Sequence, residues 1–345
     1  MSVEQPCTHG IVPPFILERM AEAESPKMRK LARENIAATA GARARRATLT
    51  HAPLLLASAS PTGKKHRLVY DAKHAPTLPG KLVRQEGQPR TGDVAVDEAH
   101  KFTGRSYDFY FRILGRNSLD NRGMVLCSSV HYRRRFANAY WDGSQMVFGD
   151  GDGTVFQRLT RSIDVVAHEL THGVVTFTAN LEYQDEPGAL NEHFADVFGT
   201  VVRQWSKRQS VRRADWLIGS EILTPAPTRK AIRSMSHPGT AFRDDPYLGT
   251  DPQPAHMKDK YTGDDDDGGV HINSGIPNRA FYLAATAFGG RSWDKAASVW
   301  YKALLTLTPR SDFADCAAAT ADAAGSLCGK AAQTLVRNAW KQVGV

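Results

Sequence analysis

The sequence predicts an α+β chain of two lobes, rich in strands before about residue 160 and mainly helical after it. Two observations carry this. Between residues 50 and 158, short runs of β-branched and aromatic residues are punctuated by Gly, Asp and Asn. From Ser162 onward, apolar residues recur at helical spacing through several long segments. With 345 residues, 41% of them hydrophobic, the chain can build a sizeable core as two domains or one large two-lobed unit.

The N-terminal stretch reads differently from both lobes. Val12-Pro13-Pro14-Phe15 is expected to be extended, because each proline fixes its own backbone. Ser25 then serves as an N-cap with Pro26 at the first helical position, where a missing N–H costs nothing. Met28, Leu31, Ala32 and Ile36 give helical spacing to about Ala40, after which Gly41 and the Arg43–Arg46 run read as an exposed, cleavable linker. In the next region His66–Ala72, Met124–Tyr132 and Gln145–Gly151 are candidate strands, interrupted by a helix near Asp97–Leu114. Candidate helices then follow at Ile163–Ala179, Gly188–Ser206, Pro277–Phe288 and Trp293–Thr306, with a pair after Ser311. The predicted organisation is an N-terminal segment 1–48, a β-rich lobe 49–183 and a helical lobe 184–345, with an active-site cleft between the lobes.

Several function classes are excluded by composition. No apolar run approaches the roughly 18 residues that span a bilayer. The N-terminus lacks a basic start followed by an apolar stretch, so no Sec signal is expected. Synthesis in the cytoplasm follows, with export by a signal-independent route left open. The net charge of +8 sits in clusters such as Arg133–Arg135 and the stretch from Arg203 to Arg213. No nucleic-acid motif accompanies them, so they read as solvated faces and no nucleic-acid partner is expected. Cys7, Cys127, Cys316 and Cys328 form no CxxC pair. They read as free thiols, although Cys316 and Cys328 could bridge in an oxidising compartment.

His168-Glu169-Leu170-Thr171-His172 is an HExxH motif. On a helix, two histidines four apart point the same way, so both imidazoles reach one metal ion while Glu169 faces its water. A catalytic zinc takes three protein ligands and leaves a fourth position open. Glu192, in Gly188-Ala189-Leu190-Asn191-Glu192, would be the third. Asp196 lies on the same helical face and could hydrogen-bond the distal nitrogen of a ligating histidine. His193 is off that face and reads as a bystander.

These residues, with the downstream DDGGVHINSGI and the upstream Asn138-Ala139-Tyr140-Trp141, resemble the thermolysin family from about Ala95 to the C-terminus. The resemblance implies a zinc endopeptidase with a β-rich N-lobe and a helical C-lobe around the cleft. It implies one catalytic Zn2+ held by His168, His172 and Glu192, with Glu169 as the base that activates water. It further implies that His271 and Tyr183 stabilise the oxyanion, that Asp266 orients His271, and that Arg233 grips the substrate carbonyl. Asn138 and Ala139 would bind substrate backbone. Leu159, Val165, Ile218 and Ile232 correspond to the S1′ pocket; all four are aliphatic, favouring Leu, Ile, Val or Phe after the cleaved bond.

Two departures matter. At positions where many relatives carry calcium-binding carboxylates, this chain has Arg203, Leu217 and Ser220, although Asp164 and Asp215 remain. Calcium prefers 6–8 oxygen ligands, so calcium dependence is not expected. The short N-terminal segment with its PP-hydrophobic motif resembles the protealysin subgroup, which implies an inhibitory propeptide. Pro13, Pro14 and Phe15 are expected to dock in the cleft, with Cys7 as a candidate thiolate ligand to zinc. The chain is read as a monomer acting on peptides or proteins and holding its own propeptide. A catalytically dead binding protein and a zinc aminopeptidase are the alternatives. Intact Glu169 and His271 argue against the first, and the lack of an amine-capturing carboxylate cluster argues against the second.

Overall fold

The computed structural model describes residues 9–49 and 62–345, with the side chains of His9 and of 43–49 outside the description. Strand β1 (His9–Gly10) leads into helix α1 (Pro14–Ala21) and helix α2 (Pro26–Leu49). Pro13 is the N-cap of α1 and Pro14 its first residue. The two prolines therefore start a helix instead of extending the chain through the cleft. Proline is favoured at that position because its fixed φ suits the first turn. Ile16, Leu17 and Met20 form the buried stripe of α1.

The β-lobe contains β2 (Arg67–Asp71), β3 (Lys81–Gln85), helix α3 (Val94–Leu114), β4 (Leu126–Val130), β5 (Ala139–Trp141) and β6 (Met146–Phe148). The sheet order is β1-β5-β6-β4-β2-β3. β2, β4 and β6 run parallel to one another, whereas β5 is antiparallel to β6 and β1 is antiparallel to β5. Without β1, β5 would be an open edge facing the cleft. Helix α3 is capped by Asp93, whose carboxylate accepts the N–H groups of Ala95 and Val96, and it ends at Gly115 in the left-handed conformation.

Helix α4 (Ile163–Thr176) and helix α5 (Asp185–Lys207) form the centre of the molecule. They pack closely because Gly199 presents no side chain: a Cβ there would lie 2.7 Å from the Asp164 carbonyl oxygen. The short strands β7 (Leu217–Ile218) and β8 (Arg233–Ser234) pair antiparallel. Helices α6 (Asp265–Asn273), α7 (Gly275–Phe288), α8 (Ala296–Leu304), α9 (Phe313–Cys328) and α10 (Lys330–Gln342) complete the helical lobe. One continuous apolar core runs from Ile11 through both lobes to Val343. Cys316 and Cys328 lie on the same helix α9, twelve residues apart and thus about 18 Å along its axis, so they cannot bridge. None of the described helices is long and apolar enough to cross a membrane.

Candidate metal centre and active site

The HExxH residues occupy the middle of α4, and His168, Glu169 and His172 are all buried. The two Nε2 atoms lie 3.0 Å apart. Each ring is held from behind. His168 Nδ1 is 2.9 Å from Asp196 Oδ1, and His172 Nδ1 is 2.9 Å from Asn191 Oδ1. The Asn191 amide is itself fixed, since its Nδ2 donates to the Leu181 carbonyl at 3.2 Å. Both Nδ1 atoms are therefore the protonated ones, and two bare Nε2 lone pairs face each other. From α5, Glu192 approaches with its oxygens 3.5 Å from His168 Nε2 and 3.4 Å from His172 Nε2. Two lone pairs and a carboxylate converging in a buried space fit a cation between them, and the donor set suits zinc. His168, His172 and Glu192 are thus brought together as the sequence predicts, and Asp196 stands behind the first histidine.

A ring of charged residues surrounds this centre. Burial, reinforced by the nearby Glu192 carboxylate, raises the Glu169 carboxyl well above its ordinary value. Arg233, on β8, makes a bidentate pair with Asp196 at 2.8 and 2.7 Å. Burial would raise the Asp196 pKa, but Arg233 and His168 override it and hold the carboxyl well below the usual range. Asn278 Nδ2 also donates to Asp196, at 2.9 Å.

His271 is positioned by a left-handed turn spanning Asp266, Asp267, Gly268 and Gly269. A Cβ at Gly268 would lie 2.1 Å from Asp185 Oδ1, so a side chain there would have to displace Asp185. The turn brings Asp266 back onto His271, with contacts of 2.6 Å to Nδ1 and 2.8 Å to the backbone N–H. Burial opposes charge on His271, yet Asp266 and Glu192 prevail and raise its pKa to about 9. Tyr183 lies 3.2 Å from His271 Nε2 and donates to Glu192 Oε1 at 2.5 Å.

The N-terminal segment lies across this ring. Ile11 N–H is 3.1 Å from Glu169 Oε1 and 3.2 Å from the Ala139 carbonyl. Arg233 Nη1 donates to the Ile11 carbonyl at 2.9 Å, and His271 Nε2 is 3.0 Å from the Gly10 carbonyl. Asn138 accepts from Val12 N–H at 2.9 Å and donates to the Val12 carbonyl at 3.1 Å. Ile11 is fully buried, in the same apolar cluster as Leu159, Val165, Ile218 and Ile232. The expected occupants therefore need correcting. Gly10, Ile11 and Val12 make these contacts, whereas Pro13 and Pro14 open α1 and Phe15 is only half-buried within it. Cys7 lies outside the described residues.

Other residues are informative by their placement. Asn35, a buried polar residue on the apolar face of α2, accepts from Ala137 N–H at 2.7 Å and donates to the Arg135 carbonyl at 3.2 Å. It latches the segment beside the cleft, and its signal was a lone amide among Met28, Leu31, Ala32 and Ile36. Asn191 was missed as well, despite immediately preceding Glu192. His193 belongs to the core, bonded to Asn278 at 2.8 Å and to Trp300 Nε1 at 2.9 Å. Arg203 pairs with Asp215 at 2.7 Å and reaches the Leu217 carbonyl at 3.2 Å. Elsewhere His131 sits between Asp150, 2.9 Å away, and Asp93, 3.0 Å away.

A buried His–His–Glu cradle, flanked by a carboxyl with a raised pKa and faced by two cationic side chains, defines a mononuclear metal hydrolase. Residues 60–176 match the thermolysin metallopeptidase catalytic domain and residues 179–345 its alpha-helical domain. An extracellular metalloprotease from Pectobacterium carotovorum subsp. carotovorum is 46% identical, with 97% of this chain and 96% of the relative aligned. Protease PrtS from Photorhabdus sp. (strain Az29) is 49% identical over 81% of this chain and 76% of its own. The solved precursor of protealysin, a metalloproteinase from Serratia proteamaculans, superposes with a TM-score of 0.90 at 46% identity, covering 98% of this chain and 99% of that one. The chain belongs to the thermolysin family of zinc-dependent metallopeptidases and is a hydrolase of peptide bonds.

Proposed function

We propose that this chain is the precursor of an endopeptidase that cleaves before large aliphatic or aromatic residues, and that residues 1–48 inhibit it until they are removed. The observation that carries this is the Gly10–Val12 backbone, bonded at once to Glu169, Arg233, His271 and Asn138. A peptide held by all four leaves no room for another. The solved precursor of protealysin covers the N-terminal segment as well, which supports reading that segment as a propeptide.

His168, His172 and Glu192 would hold zinc, which polarises a carbonyl and lowers the pKa of its water towards ~7. The remaining work falls to this chain's own groups. Glu169 takes a proton from water and delivers it to the leaving nitrogen. His271, kept charged by Asp266, donates to the carbonyl oxygen as negative charge builds there, with Tyr183 beside it. Arg233 binds the carbonyl following the cleaved bond, and Asp196 keeps the guanidinium in place. Asn138 and Ala139 align the substrate against β5. Leu159, Val165, Ile218 and Ile232, buried in the same apolar core as Ile11, are read as the apolar site for the residue after the cleaved bond.

The reading extends to a monomer without calcium, exported by a signal-independent route. It is tested by comparing full-length protein with protein from which residues 1–48 have been removed after folding. The substrate is an internally quenched peptide blocked at both ends. Equal activity of the two forms would refute inhibition, and failure to cut a blocked peptide would refute endopeptidase action.

A further inference from the structure

The contacts of the N-terminal segment converge on one peptide bond. Glu169 Oε1 is 3.1 Å from the nitrogen of Ile11, and His271 Nε2 is 3.0 Å from the oxygen of Gly10. These are the two ends of the Gly10–Ile11 amide. Hydrolysis requires a proton donor at the leaving nitrogen and a positive donor at the carbonyl oxygen. Beyond the bond, Arg233 and Asn138 hold Ile11 and Val12 as they would the far side of a substrate. A space of about 110 Å3 beside the segment is bordered by Gly10, Val12, Asn138 and His271. It is roomy enough for water, which needs roughly 10–15 Å3 of such space. Gly10 also sits close against β5, where a Cβ would lie 3.0 Å from the Ala139 oxygen. A side chain there would crowd β5 and the Asn138 amide, which favours glycine before the Ile11 nitrogen.

We infer that the Gly10–Ile11 bond is a self-processing site, cut within the same molecule, and that this cut precedes activation without causing it. The inference rests on the inhibitory reading above. Water adds to the Gly10 carbonyl carbon and the C–N bond to Ile11 breaks. Glu169 passes the water's proton to the Ile11 nitrogen, leaving a carboxylate on Gly10 and an amine on Ile11. The remaining chain keeps the bonds of Arg233 to the Ile11 carbonyl and of Asn138 to Val12. It also keeps the latch of Asn35 on Ala137 and the buried face of α1. Among the described residues, the β1 pairing of His9 and Gly10 with Trp141 and Tyr140 and the contact of His271 with the Gly10 carbonyl are lost. The S′ side of the cleft stays covered until a later cut frees α1 and α2.

The test incubates full-length, zinc-loaded protein over a hundredfold range of concentration and follows its intact mass and its rate on the quenched peptide. The expected result is loss of residues 1–10, leaving a chain that begins at Ile11. The rate constant should not depend on protein concentration, and peptide hydrolysis should stay low throughout. Glu169→Gln, or zinc removal should that variant misfold, is expected to leave the chain whole. Hydrogen exchange on the zinc-free protein reports the docked segment independently of turnover, and the Ile11 and Val12 amides should be protected. A precursor that stays inhibited but whole, a first cut at another bond or a concentration-dependent rate would overturn the inference while leaving inhibition intact, whereas unprotected Ile11 and Val12 amides would overturn both. A whole precursor with full activity would instead refute the inhibitory reading.

Discussion

Replacing Ile11 with Ala should turn a closed precursor into a leaky one. Ile11 is completely buried and lies in one apolar cluster with the four aliphatic residues expected to line the S1′ pocket. The change removes three carbons, worth about 0.8 kcal/mol each, or about 2.4 kcal/mol in all. That is roughly a 60-fold shift in the equilibrium between covered and open cleft, at about 1.4 kcal/mol per tenfold. An unfilled cavity would push the effect higher, towards the 2–5 kcal/mol range of buried Ile→Ala changes. The catalytic residues are untouched, so the activity reached after full processing should equal that of the unaltered chain. The assay is the initial rate on the doubly blocked quenched peptide, with intact mass checked before and after. Ile11→Val, one carbon smaller, should leak only about fourfold by the same scale. Phe15→Ala, at a half-buried position, should leak less than Ile11→Ala. An Ile11→Ala precursor as silent as the original would refute the claim that Ile11 anchors the segment.

Other expectations concern the metal, the base and two ion pairs. Glu192→Ala should bind far less zinc than the unaltered chain; stoichiometric zinc by elemental analysis would remove it from the ligand set. Glu169→Gln should retain zinc and thermal stability yet lose at least about a hundredfold in turnover, as expected for a missing acid–base group. Near-normal kcat would reject its role. A calcium-selective chelator should leave activity and Tm unchanged, because the Arg203 guanidinium lies among Asp215, Glu221 and the Leu217 carbonyl. Stabilisation by added calcium would contradict this. Hydrogen bonding to Asp150 is the largest influence on His131 and raises its pKa to about 9. A pKa above the unfolded value of about 6.5 gives stability that is fully present below pH 6.5 and lost as pH rises through 9. Allowing for partial solvation, that is about 1–2 kcal/mol. His131→Asn should tolerate the same positive φ, and its Tm deficit should shrink between pH 6.5 and 9.5. A deficit constant with pH would show that packing, not charge, is responsible.

The helices were legible because burial writes a 3.6-residue period into the sequence, and the structure agrees with five of the predicted segments to within a few residues. Strand β3 was not legible: Lys81–Gln85 is largely exposed at the sheet edge, so no alternation marks it. Strand β1 has only two residues, and its pairing is set by β5 and the cleft rather than by its own propensity. The prolines misled for a physical reason. Pro-Pro suits an extended segment and the start of a helix equally well, and the stripe of Ile16, Leu17 and Met20 decides for the helix. Of the site, the HExxH spacing and Glu192 were readable because ligand geometry constrains sequence spacing directly. The Gly10–Val12 contacts were not readable, since they use backbone atoms that every residue carries. Asn191 and Asn35 act through one buried amide each; Asn35 is marked only by standing among the apolar residues of its helix, and no comparable signal marks Asn191.

The segment that covers the cleft is joined to the enzyme it covers through residues 50–61. While that connection lasts, the local concentration of the segment is set by chain length and not by the amount of protein, and short tethers give values in the millimolar range. Dilution alone cannot open such a cleft. Cutting in the connection breaks none of the contacts described for α1 and α2 but turns a unimolecular equilibrium into a bimolecular one. From then on, occupancy depends on how much protein shares the volume. A crowded compartment would hold the severed pair together, and release into a large volume would separate it, so the same chemical event can be silent in one place and activating in another.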